Sequence, residues 1–279
     1  MSTPVPAGAR PSSTDEIAVI AHRGASGHAP EHTWPSYELA MEMGVDYLEP
    51  DLQMTRDGHL VAFHDNTLER TARGPDGVCT GPVTSLSLDE LRRCDVGRWF
   101  NEAHPERARP EFEGQRVVTL DELFERWGDS VRWYPETKHP DEAPGMEEAL
   151  LEIMNRHGLR DAAAQREQVL VQSFSRASLT RLRALDPAVP RVQLLEADAL
   201  DGRSVEDVIA EIAAYSRGVG PHRDLVDGRF MAAARAHDLL VHPWTVDDPA
   251  EMDRLIGLGV SGIFTNFPDR LLERLGRRP

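Results

Sequence analysis

Among its 31 basic residues the chain has a single lysine, Lys138, and in 279 residues it has only two cysteines, Cys79 and Cys94. Two cysteines are too few for a disulfide framework and their spacing is not that of a zinc site. They read as unpaired thiols in a reducing compartment, with the cytoplasm as the default location. No apolar run approaches the ~18 residues that a membrane-spanning helix needs, which excludes stable membrane insertion. Residues 1–16 are rich in Pro, Ser, Thr and Ala and lack the apolar stretch of a signal peptide, so they read as a disordered lead-in. Positive charge is also short. A net charge of −16 argues against nucleic acid as a partner, because phosphate backbones select basic surfaces. It leaves a small phosphate ligand open, since a bound cation and a few basic groups set the field inside a pocket. In a chain that otherwise uses arginine throughout, the lone lysine points to a place where a compact charge on a flexible stem is needed.

What is present is a rhythm. Short β-branched and aliphatic runs recur at residues 17–22, 46–55, 59–64, 131–137, 168–173, 190–195, 215–220, 239–244 and 262–266, mostly separated by helical patterns. Thr119-x-x-Glu122 is a capping box, and Asp248-Pro249 is a cap followed by proline at the first helical position. Strand alternating with helix implies parallel strands with helical crossovers. Nine runs is one too many for a barrel, but the second and third are joined only by Arg56-Asp57-Gly58, which suits a hairpin. Eight parallel strands remain. The fold class is therefore α/β, a (β/α)8 (TIM) barrel over residues 17–279, with a small insertion after the strand-2 hairpin. That insertion, about residues 65–118, carries one helical signal near residues 87–93. It reads as a cap with Trp99 and Phe100 as aromatic walls.

Active sites of such barrels lie at the carboxyl ends of the strands. There the sequence places His22-Arg23 on strand one, Glu49-Pro50-Asp51 on strand two, His64-Asp65 on the hairpin and Glu136-Thr137-Lys138 on strand three. A spacing of two puts Glu49 and Asp51 on one face, and likewise Glu136 and Lys138. Three carboxylates, Glu49, Asp51 and Glu136, form a hard-oxygen set suited to one divalent cation, Mg2+ or Ca2+, with Mn2+ also possible. His22 and His64 supply an acid and a base, and Arg23 and Lys138 can neutralise phosphate oxygens. His28, His32, His59, His104 and His157 fall in loops, turns or helix ends and read as non-catalytic.

At these residues the chain resembles the glycerophosphodiester phosphodiesterase family. The resemblance rests on His22-Arg23-Gly24, Pro30-Glu31-x-Thr33, Glu49-x-Asp51, Thr55-x-Asp57-Gly58, His64-Asp65, Glu136-x-Lys138, Trp244-Thr245-Val246 and Gly259-Val260-x-Gly262-Ile263, and covers nearly everything after Ile17. It implies a (β/α)8 barrel with an insertion after His-Asp, and hydrolysis of small-molecule glycerophosphodiesters to sn-glycerol 3-phosphate and an alcohol. It also implies metal on Glu49, Asp51 and Glu136, acid–base work by His22 and His64, and phosphate on Arg23 and Lys138. Trp244 and Phe100 are the candidate pocket residues. Three positions depart from the family pattern: His32 and Asp247 stand where Asn is usual, and Asn266 where Asp is common. The departures bear on substrate fit rather than reaction type. The attacking oxygen is either water or a neighbouring glycerol hydroxyl, with His22 favoured as base and His64 as acid. A phospholipase D acting on lysolipids, and a non-catalytic phosphate-binding barrel, are the alternative functions.

Overall fold

A computed structural model describes residues 17–75 and 77–277; the expected lead-in over residues 1–16 lies outside them. In chain order the elements are β1 (Ala18–His22), α1 (Trp34–Met43), β2 (Tyr47–Glu49), β3 (Asp51–Met54), β4 (Leu60–Ala62), α2 (Leu88–Leu91), α3 (Arg98–Ala103), α4 (Leu120–Trp127), β5 (Arg132–Trp133) and β6 (Glu136–Thr137). There follow α5 (Met146–Arg156), α6 (Leu159–Arg166), β7 (Val171–Ser173), α7 (Arg176–Leu185), β8 (Arg191–Leu195), α8 (Val205–Ala213), β9 (Gly218–Pro221), α9 (Gly228–Ala236), β10 (Leu240–Val241), α10 (Pro249–Leu258), β11 (Gly262–Thr265) and α11 (Pro268–Arg274).

The wall is that of a (β/α)8 barrel. β11, β1, β2 and β5 pair in parallel, as do β3, β6, β7, β8, β9 and β10. Between β10 and β11 the ring is bridged by the Ser261 amide donating to the Val241 carbonyl at 2.9 Å and the Phe264 amide to the Pro243 carbonyl at 3.0 Å. The expected hairpin is present, β4 returning antiparallel on β3. Its turn residue Gly58 has φ +86°, a left-handed conformation that glycine adopts without strain. Both sequence-read helix starts hold: Thr119 and Glu122 cap each other at α4, and the Asp248 side chain accepts from the Ala250 and Glu251 amides at α10.

Pro50 and Pro135 fall inside the runs at residues 46–55 and 131–137 and divide each of them into two strands. Proline has no amide proton to give the ladder. The second wall strand is therefore β2 then β3, and the third β5 then β6. The change of partner matters for the site. β2 lies beside β1, with Glu49 level with His22, whereas β3 lies beside β6, with Asp51 level with Glu136.

Ile20, Tyr47, Tyr134, Leu170, Val192 and Phe264 fill the barrel interior, and a larger apolar layer joins the strands to the helices. The insertion has an apolar cluster of its own, in which Leu68, Val83, Leu91 and Val96 pack on Val61 and Phe63. Within it Cys79 and Cys94 form a disulfide, which corrects the expectation of two free thiols. An antiparallel bridge between Arg73 and Asp95 brings the two loops together. A Cβ on Gly74 would lie 2.4 Å from the Cys79 sulfur, so the glycine leaves room for the bond. The cytoplasmic reading loses the support it drew from those thiols. Among the described residues no helix is long and apolar enough to cross a membrane.

Candidate active site at the carboxyl ends of the strands

Strand register assembles the site. His22 is level with Glu49, and Asp51 with Glu136, which is level in turn with Gln172 on β7. After β1 the chain turns sharply at Arg23 (φ 61°) and Gly24 (φ +80°). A Cβ on Gly24 would stand 2.2 Å from Ser36 Oγ, so only glycine lets α1 approach here. The turn points the Arg23 amide at Glu49 Oε2, 2.8 Å away.

Glu49, Asp51 and Glu136 are all buried, and each offers an oxygen within 4.8 Å of the others, the one such group of three ligands among the described residues. Burial and its two carboxylate neighbours push Glu49 well above the usual carboxylate range. Burial likewise raises Glu136, to about 8, with Asp51 adding to it against Lys138. For Asp51 burial works in the same direction but is outweighed, chiefly by Lys138 and Arg23, which hold it well below its ordinary value. Asp51 Oδ2 lies 2.9 Å from His32 Nε2 and 3.1 Å from Arg23 Nε. Its Oδ1 is buried with no hydrogen-bond partner among the described residues. A buried carboxylate oxygen without a donor, inside a repelling group of three, is the donor set a hard divalent cation fits.

The two candidate catalytic histidines face the same cavity, which Arg23, Glu49, Glu136, Lys138 and Trp244 also line. Burial, reinforced by the Arg23 guanidinium, lowers the His22 imidazole to about 3. Its Nδ1 sits 2.7 Å from Asn266 Oδ1. His64 is lowered as well, by burial and then by Arg23 and Lys138. Its Nδ1 is 2.5 Å from Asp65 Oδ1, which leaves Nε2 as its free nitrogen. Arg23 and Lys138 rest on the carboxylates: Arg23 Nη1 is 3.2 Å from Glu31, and Lys138 Nζ is 2.9 Å from Glu136 Oε1.

One pocket expectation is corrected. Phe100 does not line the cavity; it is 1% exposed and packs with Phe112 and Ala29, and so fastens the insertion to the loop after β1. Aromatic walls are instead Trp244 and Phe174, with ring centroids 5.4 Å apart. Sequence reading missed other contacts. His32, set aside as a loop residue, is buried against Asp51. Arg70, from the insertion, grips Asp65 and Glu31, its Nε 2.7 Å from Asp65 and its Nη2 2.6 Å from Glu31. Although burial opposes it, the pairing with Arg23 and Arg70 holds Glu31 down at about 2. Gln172 donates to Glu49 Oε1 at 3.2 Å.

Comparison with known proteins places this arrangement. Residues 22–270 match the model of the glycerophosphoryl diester phosphodiesterase family. A glycerophosphodiester phosphodiesterase of Bacillus subtilis is 44% identical over 271 residues, covering 96% of this chain and 90% of that protein. The crystal structure of a putative glycerophosphoryl diester phosphodiesterase from Silicibacter pomeroyi superposes with a TM-score of 0.81 at 28% identity, covering 95% of this chain and 94% of that one. An Oleispira antarctica phosphodiesterase, solved in complex with the product sn-glycerol-3-phosphate, superposes at 0.78 with 25% identity and covers 94% and 98% of the two chains. A match that begins at the first site histidine and runs past the last strand, with so near a relative, makes the chain a member of the glycerophosphoryl diester phosphodiesterase family and a phosphoric diester hydrolase.

Proposed function

We propose that the chain hydrolyses small glycerophosphodiesters to sn-glycerol 3-phosphate and the free alcohol, and that the reaction requires one divalent cation. The observation that carries this reading is the convergence of Glu49, Glu136, two histidines, Arg23 and Lys138 on a single cavity, with Asp51 buried beside the two carboxylates. The product held by the Oleispira antarctica relative supports the choice of substrate.

Glu49, Asp51 and Glu136 would hold the ion, for which Mg2+, Ca2+ and Mn2+ are the candidates. When bound, the ion supplies a Lewis acid that polarises a phosphoryl oxygen. Arg23 and Lys138 share the remaining charge of the phosphate. His22 removes the proton from the attacking oxygen, that of water or of an adjacent glycerol hydroxyl. As that oxygen bonds to phosphorus, the bond from phosphorus to the departing alcohol breaks, and His64 delivers a proton to the alcohol oxygen. Where the glycerol hydroxyl attacks, the cyclic phosphate so formed is then opened by water, whose oxygen bonds to phosphorus as one ring P–O bond breaks and the ring oxygen takes up a proton, giving sn-glycerol 3-phosphate. Asp65 at Nδ1 supports this role, because a carboxylate there stabilises the charged imidazole that a general acid needs. Residues 65–118 act as a cap that brings Arg70 to both Asp65 and Glu31.

The test is to incubate the metal-loaded protein with a panel of glycerophosphodiesters and lysolipids and to identify the phosphate product. Release of sn-glycerol 3-phosphate from the small diesters is expected. Turnover of lysolipids alone would contradict the reading. His22→Ala and His64→Ala should each slow turnover by roughly 10²-fold or more. A nitrophenyl diester, whose leaving group needs no proton, should rescue the His64 variant and not the His22 variant.

A further inference from the structure

Asp247 and Asn266, beside the His22 end of the site, are hydrogen-bonded to each other. Asp247 follows the Trp244-Thr245-Val246 motif, and Asn266 follows β11. Asp247 Oδ1 accepts from the Asn266 amide at 2.9 Å and from Thr265 Oγ1 at 3.2 Å, while its Oδ2 accepts from Asn266 Nδ2 at 2.7 Å.

We propose that Asp247 and Asn266 form a positioning pair that fixes the tautomer of His22, with the proton on Nδ1 and Nε2 left free to take the proton of the attacking oxygen. The proposal rests on the reading above of His22 as general base. It follows from what each atom can do. A carboxylate accepts and does not donate, so the NH2 of Asn266 must face Asp247. The Asn266 carbonyl oxygen then faces the other way, 2.7 Å from His22 Nδ1 and 2.8 Å from Ser26 Oγ. An amide oxygen only accepts, so His22 Nδ1 must donate. The reversed amide would set two acceptors 2.7 Å apart at Asp247 and is excluded. The imidazole thus meets a neutral amide, with the carboxylate one residue further out. A nitrogen's role being set by the bond its partner nitrogen makes, the chain orients its base through Asn266 and fixes Asn266 through Asp247.

The test has a spectroscopic and a kinetic arm. Long-range proton–nitrogen correlation of the imidazoles in the full-length protein should show His22 protonated at Nδ1 and bare at Nε2; the opposite tautomer would overturn the proposal. Kinetics on glycerophosphoethanolamine at saturating Mn2+ compare Asp247→Asn, Asn266→Asp, the double exchange and His22→Ala, with melting temperatures alongside. Asp247→Asn frees the amide to turn, and kcat should fall roughly 10-fold or more with KM little changed, the wrong tautomer being what an Asp-to-Asn change costs an oriented histidine. Asn266→Asp puts two carboxylates side by side and should fall as far. The exchange Asp247→Asn/Asn266→Asp restores an acceptor at His22 and should recover kcat to within a few-fold. Single variants at wild-type kcat, or a double variant showing the product of the two losses, would overturn the proposal. Wild-type turnover by His22→Ala would instead overturn the reading beneath it.

Discussion

His32 Nε2 lies 2.9 Å from Asp51 Oδ2, and both side chains are closed to solvent, at 3% and 1% exposure. The other ring nitrogen, Nδ1, is 2.8 Å from the hydroxyl of Tyr37. Tyr37 belongs to α1 and sits in the core edge-on to Trp127. A line of contacts therefore runs from the core through Tyr37 and His32 to one oxygen of Asp51, and leaves the other oxygen facing the carboxylate cluster.

Side chains that orient a metal ligand commonly contribute about 10–100-fold to affinity. His32→Ala should weaken Mn2+ binding on that scale, measured by titration calorimetry. His32→Gln, which keeps a donor near the Nε2 position, should recover part of the loss, and Tyr37→Phe should cost less than His32→Ala. Unchanged Mn2+ affinity in His32→Ala would show that the contact is packing alone.

Arg70 bonds to both oxygens of Asp65 and both of Glu31, and Asp65 holds His64. Asp65→Asn should lower kcat roughly 10-fold or more with little effect on KM, because the imidazole loses the carboxylate that favours its charged form. Arg70→Gln should do the same more weakly, since the guanidinium side chain is 41% exposed and such pairs are screened. Steady-state kinetics decide it, and an Asp65→Asn enzyme at wild-type kcat would remove Asp65 from the acid.

Lys138 Nζ lies 2.9 Å from Glu136 Oε1 and 3.8 Å from Asp51 Oδ1, so its charge already belongs to the carboxylate cluster. Lys138→Met should reduce kcat more than it raises KM, because the charge counts most as negative charge shifts in the transition state. Lys138→Arg should rescue poorly, the planar fork being wider than a space that fits an ammonium. Kinetics on glycerophosphoethanolamine check both. An arginine variant at full efficiency would make the lone lysine a matter of composition.

Much of this is legible in the sequence. The alternation of strand and helix produced the eight wall strands, and a three-residue connection was enough to set β4, the returning arm of the hairpin, apart from them. Residues two apart at strand ends led to Glu49, Asp51, Glu136 and Lys138 because strand geometry fixes where such residues point. What escaped depends on neighbours that no periodicity encodes. His32 lies in an irregular loop, and its partners come from α1 and β3. The Cys79–Cys94 bond depends on two insertion loops meeting at Arg73 and Asp95. Phe100 looked like a pocket wall because an aromatic in an insertion carries no sign of which side it packs on. The runs at residues 46–55 and 131–137 read as single strands because hydrophobic periodicity does not register where Pro50 and Pro135 interrupt the ladder.

The central claim is that Glu49, Asp51 and Glu136 are a metal centre. It is tested most directly by stripping the protein with a chelator, dialysing it, and measuring release of sn-glycerol 3-phosphate from glycerophosphoethanolamine before and after Mg2+, Ca2+ or Mn2+ is returned. The account predicts loss of turnover on stripping and its recovery with at least one of these ions. It also predicts that Asp51→Asn, which removes the carboxylate whose Oδ1 accepts no hydrogen bond among the described residues, neither binds Mn2+ nor recovers. Full turnover by the stripped protein, or Mn2+ binding by Asp51→Asn as tight as wild type, would contradict it.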